Sequence, residues 1–222
     1  VGTMADVTEQ KNAEERLLHD SIHDNLTGLE NRQLFMNRLD TVMSISRKND
    51  ATRPSVFHIN IDSFTALNQR LGFGVGDTIL LTAARRLGRL LRSGDSLARM
   101  EGDQFALLLL SETAPDRIAM FADSVRKTIN APLQFAGEEL ILTASIGIAT
   151  LTSDHSDAAD ILRDAELAMV EAKRQGGNRI EPFRPTFRSG RDESTGMHEE
   201  LRHAIERGQI SVLYQPIVRL ED

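Results

Sequence analysis

The stretch Leu97-Ala98-Arg99-Met100-Glu101-Gly102-Asp103-Gln104-Phe105-Ala106-Leu107-Leu108-Leu109-Leu110 sets two apolar runs on either side of a short polar turn with glycine at its centre. That pattern reads as a β-hairpin. Upstream, Val56-Phe57-His58-Ile59-Asn60-Ile61 is β-branched and aromatic and reads as a strand. Two helical stretches separate it from the hairpin. Ser63–Leu71 is short and stops at Gly72, while Asp77–Arg92 presents Ile79, Leu80, Leu81, Ala83, Leu87, Leu90 and Leu91 and stops before Ser93-Gly94. Downstream, an amphipathic helix is predicted from about Pro115 to Asn130. A second hairpin follows, with Leu133–Ala136 and Leu140–Thr150 around Gly137-Glu138. The last helix, over about Ser156–Gln175, should bury Ile161, Leu162, Ala165, Leu167, Ala168 and Met169 and is halted by Gly176-Gly177. Helices interleaved with two hairpins predict an α+β fold, a mixed, mainly antiparallel sheet flanked by helices, rather than a doubly wound parallel one.

Beyond this core, Asp6 and Thr8 precede a polar helix predicted over Thr8–Asp20. Its apolar positions, Val7, Leu17, Leu18 and Ile22, are too few for a coiled coil and suit a solvated connector. After Ile180, the residues Pro182, Pro185 and Ser189-Gly190 with several charges read as a linker. Met197–Gly208 and Ile210–Tyr214 then open a helix and a strand that cannot bury a core alone. The expected organisation is a connector at 1–20, a domain at 21–182, a linker at 183–196 and the start of another module at 197–222.

Composition narrows the function classes. The 222 residues carry 26 Lys+Arg against 33 Asp+Glu, a net charge of −7, which argues against coating nucleic acid or an anionic membrane through bulk charge. Without cysteine there is no disulfide framework, thiol catalysis or Cys-ligated zinc, and a reducing, cytoplasmic setting is expected. Apolar runs are too short or too polar to span a bilayer, and no signal peptide is expected from the opening residues. At 5% aromatic, with no Trp and one Tyr, stacking platforms for single-stranded nucleic acid are scarce. The six histidines lack metal-ligand spacing, and His23 and His58 read as packing or surface residues.

Five segments together resemble a known family. His23-Asp24-Asn25-Leu26-Thr27-Gly28-Leu29-Glu30-Asn31-Arg32 is similar to the N-terminal signature of GGDEF domains, the diguanylate cyclase family. Asn60-Ile61-Asp62-Ser63-Phe64, followed by Asn68 and Gly76-Asp77, resembles that family's D-x-D-x-F-K…N…G-D stretch. Arg92-Ser93-Gly94-Asp95 resembles its inhibitory R-x-x-D motif, and Glu101-Gly102-Asp103-Gln104-Phe105 occupies the signature hairpin. Ala172-Lys173-Arg174-Gln175-Gly176-Gly177-Asn178-Arg179 resembles the A-K-x-x-G-R-N-R ending. The matches cover about residues 20–180 in the right order. On the flanks, Asp6–Lys11 resembles the exit of a PAS sensory domain. Glu200–Ile205 with Tyr214–Val218 resembles the start of an EAL cyclic di-GMP phosphodiesterase domain.

The resemblance implies a nucleotide-cyclase palm-like fold and a chemistry in which a 3′-hydroxyl of GTP attacks the α-phosphate of a second GTP and pyrophosphate leaves. Metal and cations must meet the charge. In the family Mg²⁺ is held by an Asp at the end of the first strand and by acidic residues of the hairpin turn. Here that Asp is Asn60, whose amide carries no charge. Asp103 keeps the third signature position, the fourth is Gln104, and Asp62, two residues on from Asn60, is a candidate substitute ligand. Glu101 stands in place of the first glycine, where a carboxylate repels phosphate unless a salt bridge turns it aside. Thr65 and Gly177 replace a Lys and an Arg, leaving Lys173 as the phosphate contact.

Guanine reading is implied for Asn68 and Asp77, since a carboxylate accepts from guanine N1–H and the 2-amino group. The alternative is a surface Asn and a helix cap. Arg92 and Asp95 are implied to grip cyclic di-GMP, against the alternative that Arg85, Arg89 and Arg92 form a solvated helix face. Three readings stay open: a degenerate domain that binds GTP or cyclic di-GMP to regulate an EAL domain in the same chain, a weak cyclase with Mg²⁺ weakly held, and a nucleotide-free relay, for example a homodimerisation module.

Overall fold

The computed structural model describes residues 21–47, 53–135 and 138–188. The predicted connector helix and the expected module at 197–222 lie outside them. Twelve named elements follow one another: α1 (Arg32–Ser46), β1 (Ser55–Ile61), α2 (Phe64–Leu71), α3 (Phe73–Gly88), β2 (Ser96–Arg99), β3 (Gln104–Leu109), α4 (Pro115–Asn130), β4 (Leu133–Phe135), β5 (Glu138–Leu140), β6 (Ala144–Thr150), α5 (Ala158–Arg174) and β7 (Ile180–Pro182). The main sheet runs β2-β3-β1-β6-β7. Its pairings are antiparallel except β6 with β7, so the α+β expectation holds, mixed and mainly antiparallel.

Every residue of β1 is buried, because helices cover both faces of the sheet. Odd positions Phe57, Ile59 and Ile61 join Phe105, Leu107 and Ile146 beneath Phe64 of α2, Ile79 and Leu87 of α3, and Ala122 and Val125 of α4. On the opposite face Val56, Ala98, Ala106, Leu108 and Ala149 pack against Phe35 and Leu39 of α1 and Ile161 and Ala165 of α5. Each fully buried Phe, Leu or Ile contributes about 1.5–3 kcal/mol. Gly147 of β6 lets α5 approach: a Cβ there would overlap the Ala165 carbonyl oxygen and the Met169 amide nitrogen.

Several boundaries depart from the sequence reading. Helix α1 had no counterpart in it. Helix α3 starts at Phe73, not Asp77, and ends at Gly88, so Arg92 lies beyond the helix and does not continue an Arg85–Arg89 face. The second hairpin is split, for β4 and β5 form a small sheet of their own while β6 enters the main one. Within α5 Leu167 is half-buried and Asp164 is buried, accepting from His155 Nε2 at 3.0 Å. His155 Nδ1 in turn accepts from the Thr152 amide at 3.1 Å.

The chain divides into two units, Val1–Phe183 and Arg184–Asp222. In the second, the described residues 184–188 form a turn in which Phe187 N–H donates to the Arg184 carbonyl at 2.8 Å. Among the described residues no helix is long and apolar enough to cross a membrane.

Candidate functional site

Strand register assembles the first group of polar residues. Asn60 lies opposite Gln104 of β3 on one side and Ser145 of β6 on the other. Opposed residues point to the same face, and alternation adds His58 to it. His58 and Asn60 are 4% and 2% exposed. His58 Nε2 lies 2.9 Å from Gln104 Oε1. Burial holds the imidazole's pKa below its ordinary value; the Gln104 bond and Glu166 oppose this, and the charges of Lys173 and Arg32 add to it. The ring is therefore neutral at pH 7. Among the described residues neither His58 Nδ1 nor Asn60 Oδ1 has a hydrogen-bond partner.

Asp62 sits just past β1 and is engaged elsewhere. Its carboxylate accepts from Thr143 Oγ1 at 2.8 Å, Ser145 Oγ at 2.6 Å and the Asn178 amide at 2.9 Å. Those bonds pin the loop after α5 to the strand end. A substitute metal ligand was expected here, but its oxygens already serve three donors.

The signature turn is fixed by Arg99. Its Nε and Nη2 donate to the Gly102 carbonyl at 3.0 and 2.8 Å, and Nη1 reaches both oxygens of Asp24 at 3.1 and 3.2 Å. Asp24 also accepts from Thr27 N and Oγ1 at 2.8 and 2.6 Å, closing the wide turn before α1. Burial pushes the Asp24 carboxyl up, but the Thr27 and Arg99 bonds outweigh it and hold the pKa below the usual carboxylate range. Asp103 is half-buried in the turn, with its carbonyl accepting from Ile61 N at 3.2 Å. Glu101 is exposed, and no salt bridge turns it aside among the described residues. Lys173 is exposed in the last turn of α5, near enough for its charge to act on His58.

A second group forms where α2 meets α3. Asn68 Oδ1 is buried without a partner and lies against Gly76, where any Cβ would collide with it. Asp77, exposed, is one residue beyond. Gly72 is the residue that precedes α3, so the helix-cap alternative for Asp77 is set aside. On the same helix Thr78, Leu81 and Arg85 line a cleft of about 470 Å³ with Thr27 and Leu29. Leu29, Leu81 and Ala84 give the cleft an apolar wall beside the hydroxyls of Thr27, Thr78 and Thr82 and the Arg85 guanidinium, and neither Asn68 nor Asp77 is among its lining residues.

Arg92 and Asp95 lie at the far end of the β2–β3 hairpin, away from the turn. Asp95 is 9% exposed and accepts from the backbone of Arg92, Leu110 and Ser111 at 3.0, 2.9 and 2.9 Å and from Ser111 Oγ at 2.8 Å. The Arg92 guanidinium is 64% exposed and pairs with Glu112 at 2.6 Å. Asp95 thus brackets the hairpin, and Arg92 is the member turned to solvent.

Residues 21–179 match the family described as diguanylate cyclase, GGDEF domain. The chain belongs to the GGDEF family. It is 34% identical over 211 residues to the bifunctional diguanylate cyclase/cyclic di-GMP phosphodiesterase MucR of Pseudomonas aeruginosa, covering 95% of this chain and 30% of MucR. Diguanylate cyclase TpbB of the same organism is 37% identical over 161 residues, covering 72% of this chain and 37% of TpbB. The solved GGDEF domain of TpbB matches with a TM-score of 0.70 at 33% identity, over 75% of this chain and 97% of that domain. The chain thus spans about a third of the length of these curated relatives.

Magnesium, which GGDEF cyclases generally use, does not fit the residues at this strand end. Asn60 and Gln104 are neutral and Asp62 is occupied, which leaves at the turn Asp103 and the exposed Glu101, a residue that stands where the family has glycine. Among the described residues no three His, Asp or Glu side chains cluster as a metal site would require. His58, read from the sequence as a packing or surface residue, is buried, and its bond to Gln104 was not foreseen. Its signal was positional: two residues before Asn60 on a strand, it had to share a face with the signature turn.

Proposed function

We propose that this GGDEF domain is a regulatory module of the bacterial cytoplasm. It binds GTP, cyclic di-GMP or both, and conveys that state to an EAL phosphodiesterase domain later in the parent chain, with little synthesis of its own. The observation that carries this reading is the opposition of two uncharged amides, Asn60 and Gln104, where phosphoryl transfer calls for a metal-binding carboxylate pair. The retained Asn68 and Asp77, the positions that the family resemblance assigns to the guanine base, support nucleotide binding. Calorimetric titration with GTP plus Mg²⁺, and separately with cyclic di-GMP, tests it, with Asp77→Ala as the control for base contact. Heat that disappears in the variant supports it; no heat and no thermal shift with either nucleotide overturns it.

A second reading, residual cyclase activity, is favoured by the retained carboxylate of Asp103 and by Lys173 on the same side of the sheet as His58. Prolonged incubation with GTP and Mg²⁺ or Mn²⁺ followed by nucleotide separation decides between them. Cyclic product above a blank favours this second reading; none removes it.

A further inference from the structure

The face shared by His58, Asn60, Gln104 and Ser145 carries more than a missing charge. In the contact between His58 Nε2 and Gln104 Oε1, 2.9 Å apart, the acceptor is an amide carbonyl, so the imidazole donates and its Nε2 bears the proton. The bond is diagonal across the β1–β3 pair, because His58 is opposite Ala106 and Gln104 is opposite Asn60. Its direction draws the Gln104 side chain back along the sheet, away from the Glu101–Asp103 turn and toward the strand interior. Around it, Ala106 and Gly147 are the residues paired with His58 on either side, and neither competes for the proton.

We propose that His58 is a positioning residue that closes the divalent-cation site of this domain by holding the side chain at position 104 on the buried face of the sheet. The neutral amides of Asn60 and Gln104 are then one half of the reason that a hard dication is not held, and the His58 donor is the other. A carboxylate introduced at position 104 would be an even better acceptor for the Nε2–H, since charge-assisted hydrogen bonds are roughly twice as strong as neutral ones. Restoring acidic residues at the strand end therefore rebuilds the site only weakly while His58 stays. Asn60 and His58 each keep an unpartnered, buried acceptor next to this bond, so the local network is already short of donors and has none to spare for a second carboxylate.

This inference deepens the reading given above, because it names what keeps the strand end free of metal. Its test uses no nucleotide, so its failure and the failure of nucleotide regulation are separate results. Mn²⁺ alone is titrated into the chain and the free ion followed by electron paramagnetic resonance, for the wild type, for Asn60→Asp/Gln104→Glu and for His58→Leu/Asn60→Asp/Gln104→Glu. His58→Met in the same background stands in if the leucine variant does not melt cooperatively. The expected result is little or no binding by the wild type, weak binding by the double variant, and binding by the triple variant at least about tenfold tighter, the size of a typical effect of a residue that orients metal ligands. Equal affinity in the double and triple variants overturns the proposal, as does a wild type that binds Mn²⁺ as tightly as the triple variant.

Discussion

Arg99 grips Asp24 across 75 positions of sequence while holding the carbonyl of Gly102 three residues ahead of it. One planar guanidinium therefore fixes the signature turn to the wide turn that opens the domain. At side-chain exposures of 15% and 23%, the pair is largely shielded from solvent.

Removing that guanidinium takes the charged partner from Asp24, which keeps its Thr27 bonds, and frees the turn. Arg99→Ala is expected to cost about 1–3 kcal/mol in urea unfolding, the usual size of hydrogen bonds to a charged group. Arg99→Lys should recover only part of it, since a point charge cannot serve both acceptors in a fork. Unchanged midpoints in both variants would remove this clamp from the account of stability.

Acid should weaken the domain through Asp24 and Asp95. Burial raises both carboxyls, but hydrogen bonds from Thr27 and Arg99 in one case, and from Arg92, Leu110 and Ser111 in the other, hold each below the ordinary value. A carboxylate with a lower pKa folded than unfolded adds stability that is fully present above the unfolded value, about 3.9, and is lost as pH falls through the folded one. Urea unfolding from pH 7 to pH 3 is expected to show a steep loss below about pH 4. Asp24→Asn/Asp95→Asn, weaker at neutral pH, should have a shallower acid limb; an equally steep one assigns the loss to other groups.

The two members of the Arg92–Asp95 motif should separate. Asp95→Ala leaves the partly buried amides of Leu110 and Ser111 without this acceptor and is expected to cost about 1–3 kcal/mol. Arg92→Ala removes an exposed ion pair and should leave the melting temperature nearly unchanged. Cyclic di-GMP titration is therefore informative in Arg92→Ala, where lost affinity reports lost contact. Wild-type affinity in that variant rules out a ligand site on Arg92.

Gly147→Ala tests the close approach of α5 to β6. The new methyl meets the Ala165 carbonyl and the Met169 amide of α5, both backbone, so the helix must lift from β6. Such overpacking typically costs about 1–3 kcal/mol. Chemical denaturation reads it directly, and a neutral result would mean that α5 can shift without loss.

How much of this was legible follows from particular residues. Strand β1 and helix α4 could be read because a β-branched and aromatic run and a Pro115 start are strong local signals. Helix α1 escaped because it is only weakly amphipathic, with Phe35, Leu39 and Met43 buried among polar and exposed residues; its Asn31 cap, which accepts from Leu34 N at 3.0 Å, was absorbed into the motif around it. The start of α3 was misplaced since Gly74 and Gly76 read as loop, whereas Gly76 is the surface against which Asn68 packs. Within the candidate site, motif spacing placed Asn60, Asp103 and Gln104 at one strand end. The engagement of Asp62 by Thr143, Ser145 and Asn178 depends on segments up to 116 residues away, and no local pattern encodes it.

The pairing of Asn60 with Gln104 has a mechanical consequence as well. Two carboxylates set opposite each other on adjacent strands repel whenever no cation lies between them, and in a poorly screened sheet that repulsion works to part the strands. Here the opposed groups are uncharged, so β1 and β3 meet under no such load. Pairing of β1 with β3 at this position therefore needs no cation to offset a repulsion between Asn60 and Gln104.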